Sequence, residues 1–68
     1  MSEIKVWIAR DGEADGGNRE ELYLHHRKPA YDGLYWQSKD YKGIGKDLYP
    51  VVKNGECYEA TIVLGEKL

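Results

Sequence analysis

The chain has one cysteine, no phenylalanine, two prolines and almost no net charge. Each shortage excludes something. A single Cys57 cannot form an internal disulfide, and a lone thiol fits a reducing compartment. No apolar run approaches the ~20 residues of a membrane-spanning helix. The opening Met1-Ser2-Glu3 lacks the basic and apolar regions of a signal peptide. The expectation is a cytoplasmic protein with no membrane partner. Ten basic against twelve acidic residues leave a net charge of −2. Bulk attraction to nucleic acid is therefore disfavoured, because non-specific affinity comes from neutralised phosphates. A local basic face of Lys5, Arg27 and Lys28 is what remains for phosphate contact. With 68 residues the chain makes one small domain, residues 1–68. A chain of this size buries only roughly 60% of the surface its unfolded form exposes. Without disulfides, the usual extra supports are a metal or a partner chain, including a second copy of itself.

What is present is β patterning. Ile4-Lys5-Val6-Trp7-Ile8-Ala9-Arg10-Asp11 alternates β-branched or aromatic residues with others. It reads as a half-buried strand with Ile4, Val6 and Ile8 on one face and Lys5, Trp7 and Ala9 on the other. Asp11 to Asn18 (DGEADGGN) is turn chemistry throughout. Asp11, Glu13, Asp15 and Gly16 imitate the start of a calcium loop, but Leu22 stands where the bidentate Glu is required. No metal is expected there. Glu20 to Pro29 carries both strand alternation, with Leu22 and Leu24, and a helix-like capping spacing from Asn18 to Glu21. It is read as a strand, antiparallel to the first. Tyr31-Asp32-Gly33 reads as a three-residue loop pairing Ala30 with Leu34, which would set Leu22, Leu24, Leu34 and Trp36 on one face. Lys39 to Asp47 reads as a crossover, with one helical turn near 46–49. Gly43-Ile44-Gly45-Lys46 lacks the spacing of a phosphate loop. Asn54-Gly55 marks a hairpin with Lys53 facing Glu56. The last strand runs Tyr58 to Leu64.

The fold expected is mainly all-β, a small twisted antiparallel sheet of about five strands built from hairpins. Its core face would collect Ile4, Val6, Ile8, Leu22, Leu24, Leu34, Trp36, Val51, Tyr58, Ala60, Ile62 and Leu64. Ile44, Leu48 and Tyr49 would cap one end. The opposite face would hold an aromatic row of Trp7, Tyr23 and Tyr35, with His25, Arg27 and Gln37 beside it. Six Tyr and two Trp make such a surface plausible, since these rings combine an apolar body with a polar handle. Three readings of that face stand open. It is a cross-strand ladder that stiffens the sheet, a docking surface for a protein partner, or a face covered by a second copy. Stacking of single-stranded nucleic acid on the same rings is the alternative function.

Catalysis has little support. His25 and His26 are adjacent, so in a strand they point to opposite sides and cannot grip one metal together. Cys57 has no spacing that demands a catalytic partner, and buried structural cysteine is the commoner case. No cofactor and no enzymatic activity are expected. The pieces Ile4 to Asp11, Leu22-Tyr23-Leu24, Lys28-Pro29, Tyr35-Trp36 and Leu48-Tyr49-Pro50-Val51 together resemble a group of short uncharacterised bacterial proteins. Those read IWIARD–DG–LYL–KP–G–W–FPEV and are frequently found near phage and mobile-element genes. The long DGEADGGNRE loop departs from their abrupt turn. The resemblance implies a compact β domain with an accessory or interaction role, and it brings no functional residue.

Overall fold

A computed structural model describes residues 2–13 and 19–68. Among the described residues six strands are present: β1 (Ser2–Arg10), β2 (Leu22–His25), β3 (Ala30–Tyr31), β4 (Trp36–Gln37), β5 (Tyr41–Gly43) and β6 (Cys57–Leu64). Four of them form an antiparallel sheet in the order β5-β2-β1-β6, and β3 and β4 form a separate two-stranded sheet. No helix occurs among the described residues. The mainly β antiparallel fold is as expected, but the wiring is not a simple run of hairpins. The last strand returns to pair with the first, and β5 pairs with β2. The tip of the acidic loop, residues 14–18, lies outside the described residues, as do the calcium-like positions Asp15 and Gly16 and the capping Asn18.

The sides of β1 are those its alternation dictates. Ile8 lies beside Leu24 on β2 and Tyr58 on β6, and Val6 lies beside Ala60. Ile8, Leu22 and Val52 form the buried cluster, with Ile44 and Ala60 packed against it. Burial of each such side chain stabilises by ~1.5–3 kcal/mol. The depth of burial departs from expectation. Ile4, Tyr58, Ile62, Leu64, Val51, Leu48 and Tyr49 are all exposed. For Ile4, Ile62 and Leu64 the reason is strand length. β6 pairs with β1 from Ser2↔Leu64 to Ala9↔Cys57, whereas β2 covers only Trp7 to Arg10. Beyond Trp7 the sheet narrows to a two-stranded ribbon, and the molecule is elongated, 44 × 22 × 15 Å.

The other departures are local. Ala30 pairs with Gln37 and Tyr31 with Trp36, so the connecting loop is Asp32 to Tyr35, one residue longer than expected. Asp32 selects it. Its Oδ1 accepts the N–H groups of Leu34 at 2.9 Å and Tyr35 at 2.7 Å. Its own N–H donates to the Tyr35 carbonyl at 3.1 Å. A carboxylate that caps the turn this way offsets the loss of a tighter hairpin. Leu34 and Trp36 therefore do not join Leu22 and Leu24. Tyr41 to Gly43, expected as crossover, is the edge strand β5. The expected helical turn is a β-turn closed by the Leu48 N–H on the Gly45 carbonyl, 3.3 Å. Asn54-Gly55 does turn the chain. Only the glycine has positive φ, +83°, which is the sign pattern of a type II rather than a type I′ turn. Val51 and Val52 form no strand before it; Val52 N–H donates to the Tyr49 carbonyl and its side chain enters the core. Glu56 Oε1 accepts the backbone N–H of Lys53, 2.8 Å, in place of a cross-strand ion pair.

Arg10 holds these irregular segments to the sheet. It is fully buried, 0% exposed. Its Nε donates to the Val52 carbonyl at 2.6 Å, Nη1 to the Glu20 carbonyl and Nη2 to the Tyr49 carbonyl at 3.3 Å. Among the described residues no carboxylate forms a salt bridge with it. Burial lowers its pKa from the ordinary arginine value, and the three carbonyl dipoles compensate for part of its lost hydration.

Candidate binding cleft

The face of the sheet opposite the core is set by the same parity. Trp7, Ala9, Tyr23, His25 and Tyr41 fall on it. Tyr23 and Tyr41 meet edge to face, with ring centroids 5.6 Å apart and an interplanar angle of 78°. Tyr41 also leans on His25, 5.8 Å between centroids. The β3–β4 hairpin stands over this face, fixed by three polar contacts. Gly12 N–H donates to the Leu34 carbonyl at 2.7 Å. Trp36 N–H donates to Asp11 Oδ1 at 3.0 Å. Ser38 Oγ lies 2.7 Å from His25 Nδ1. Tyr31 stacks on the Trp36 indole at 4.6 Å and 27°, covering one of its faces.

Between sheet and hairpin lies a cleft of about 430 Å³. Tyr23 and Tyr41 line it from the sheet, Tyr35, Trp36 and Gln37 from the hairpin, and Asp11 and Ser38 complete it. Its volume is in the range of small-ligand sites. Asp11 is half-buried, and among the described residues it has no basic partner. Its field is felt nearby. Burial first, and Asp11 second, raise the Tyr23 hydroxyl above its ordinary pKa.

His25 is sealed beneath the cleft, 0% exposed. Ser38 Oγ lies 3.3 Å from the Asp40 carbonyl, to which its hydroxyl donates. Ser38 can then accept from His25 Nδ1–H, which leaves Nε2 as a bare lone pair. Nε2 has no partner among the described residues. A second proton there would be buried and unpaired, and burial lowers the pKa of this imidazole.

The expected aromatic row is rearranged by register. Trp7 does project away from Ile4, Val6 and Ile8, and it is half-buried. Its neighbours are His25 on β2 and Glu59 on β6, so the transverse row is Trp7–His25–Tyr41. Tyr23 lies opposite Ala9, and Tyr35 sits in the hairpin loop. The cleft gathers Tyr23, Tyr35 and Gln37 and leaves out Trp7, His25 and Arg27. Arg27 is beyond the end of β2 and pairs with Asp40 at 3.2 Å. Gln37 Nε2 donates to Asp32 Oδ2 at 2.9 Å. Four lining residues are not legible as such from the sequence. Tyr41 sits in a stretch that reads as loop, Trp36 reads as a core-side residue, Asp11 reads as part of a turn, and Ser38 carries no signal of its own. Only the pairing of β5 with β2 brings Tyr41 to the others.

Cys57 is half-buried, and burial raises its thiol pKa, which disfavours the nucleophilic thiolate. Among the described residues no group of three or more His, Cys, Asp or Glu is placed to hold a metal ion. No helix among them is long and apolar enough to cross a membrane. Neither a protein-family model, nor a curated protein, nor a solved structure matches the chain.

Proposed function

We propose that this chain is a non-enzymatic interaction domain that docks a protein partner in the cleft between its sheet and the β3–β4 hairpin. The observation that carries the reading is the exposure of rings around a pre-formed concavity. Tyr35 is 51% and Tyr41 60% exposed, although a folding chain has every reason to cover large aromatic groups. Exposed aromatics at a concave site are what partner surfaces use. The half-buried, lone Cys57 supports a reducing, cytoplasmic setting.

The nucleic-acid reading is weaker on the same observations. Lys5 is engaged with Glu59 at 3.2 Å and Arg27 with Asp40 at 3.2 Å. The carboxylate of Asp11 lines the cleft and would repel phosphate. A labelled single-stranded oligonucleotide titrated at low salt is expected to show no saturable binding. Salt-dependent binding lost in Tyr41→Ala would replace the protein-partner reading.

The direct test is selection of random peptides on the folded protein, with counter-selection on a Tyr41→Ala variant. Enriched peptides that bind the wild type and lose affinity to the variant support docking at the cleft. Failure to enrich any peptide dependent on Tyr23, Tyr35 or Tyr41 overturns it.

A further inference from the structure

We infer that the cleft is built to receive the side chain of an arginine presented by a protein partner. The inference rests on the docking reading above and adds the chemistry of the docked group.

Four of the groups that line the cleft are electron-rich rings, Tyr23, Tyr35, Trp36 and Tyr41. The perpendicular Tyr23–Tyr41 pair presents a ring face and a ring edge at one corner. The Trp36 indole is held by Tyr31 on one side, so its orientation is set before any ligand arrives. Ring faces carry the negative part of the aromatic quadrupole and attract cations. Among the described residues the one charged group lining the cleft is a carboxylate, Asp11. Its Oδ1 is used by the Trp36 N–H, which aims the carboxylate at the hairpin side of the cleft and holds it there. A half-buried carboxylate next to four rings, with no basic partner among the described residues, is an uncompensated negative site. An anionic or purely apolar occupant would leave that charge less hydrated and unpaired, at a cost. A cation would compensate it.

The guanidinium suits the site better than an ammonium. It is planar and weakly hydrated, stacks on rings, and offers several N–H donors at once. Ammonium groups keep their water more firmly and have no flat face to stack. The acceptors at hand are the Asp11 carboxylate, the Ser38 hydroxyl and the side-chain oxygen of Gln37, whose amide nitrogen is engaged with Asp32. A planar multi-donor cation can reach several acceptors while its face lies on a ring.

The test uses peptides enriched on the folded protein. An arginine at one fixed position is expected among them. Replacing it by citrulline, which keeps the shape and removes the charge, is expected to weaken binding at least about tenfold. Asp11→Asn keeps an oxygen for the Trp36 N–H and so preserves the hairpin. It is expected to weaken the arginine peptide similarly and the citrulline peptide little. Tyr41→Ala is expected to weaken both. Enrichment of peptides without arginine, enrichment of lysine in its place, or equal binding of the citrulline peptide overturns the arginine assignment and leaves cleft docking standing. Absence of any cleft-dependent peptide overturns both.

Discussion

The two ends of β1 carry the same alternation and finish in different surroundings. From Trp7 to Ala9 the strand has β2 on one edge and β6 on the other, and Arg10 is bonded to β2 and to Gly55 and Glu56 just before β6. The 44–56 segment covers one face there and the β3–β4 hairpin the other. Ile8, Ala9 and Arg10 are buried there, and Val6, the first residue past the end of β2, is buried with them. From Ser2 to Lys5 the strand has β6 alone among the described residues, and Ile4, Ile62 and Leu64 stay in contact with water although their parity is correct. Alternation assigns a side chain to a face, and only a covering layer turns the face into a core. The layer at the buried end is made largely of irregular chain, held by Arg10 on one side and by Asp11, Gly12 and His25 on the other.

The sharpest way to break this contrast is to remove the clamp. Arg10→Met fills much of the same space and leaves the carbonyls of Val52, Glu20 and Tyr49 without donors. It is expected to cost about 3–5 kcal/mol in a urea titration, most of the stability of a small domain. Arg10→Lys is expected to restore little, because one ammonium cannot reach three carbonyls from a fixed fork.

The contrast between ends is read directly from paired truncations. Leu22→Ala in the buried cluster is expected to cost about 2–5 kcal/mol. Ile62→Ala on the ribbon, already 38% exposed, is expected to cost about 1 kcal/mol or less. Equal costs would mean that the ribbon is covered in solution.

Gly12→Ala tests the hairpin layer. A Cβ there would collide with the Tyr31 hydroxyl and come within 3.3 Å of the Leu34 carbonyl. The expected cost is about 1–3 kcal/mol, with loss of the near-ultraviolet dichroism of the Tyr31–Trp36 stack. Tyr31→Phe in the same chain should recover part of it, because the hydroxyl is the nearer obstacle.

His25 gives the layer a pH dependence. Its folded pKa lies below the ordinary 6.5, so the unfolded chain takes up the proton first as pH falls. Stability is fully present above about pH 6.5 and declines between there and the folded pKa. Urea midpoints measured from pH 7.5 to 5 are expected to fall, and His25→Phe to flatten that slope. The smallest effect belongs to the ribbon. Lys5→Ala removes an exposed ion pair with Glu59 and is expected to cost about 0.2–1 kcal/mol, less in high salt.

Much of the fold was legible and less of the cleft. The faces of β1, β2 and β6 follow from period-two alternation, and Asn54-Gly55 and Asp32-Gly33 mark the turns. The length of the Asp32 loop was not legible, because the decision rests on a carboxylate reaching two amides rather than on apolar matching. Tyr23, Tyr35 and Gln37 were recognisable as surface aromatics and their neighbour. Tyr41 was not, since a three-residue strand in KDYKGIGKD has no period of its own to display.

A small antiparallel β protein with no disulfide within the chain follows from the residues alone, and so does the side of its long strands that each residue takes. Those are local properties, since successive side chains in an extended backbone point opposite ways whatever the partner. The tertiary structure alone decided that Trp7 meets His25, that Tyr41 reaches Tyr23, that an arginine is buried, and that half of β1 stays uncovered. Register and depth depend on how far each neighbouring strand runs and on what lies across it, and neither is a property of the strand that is read.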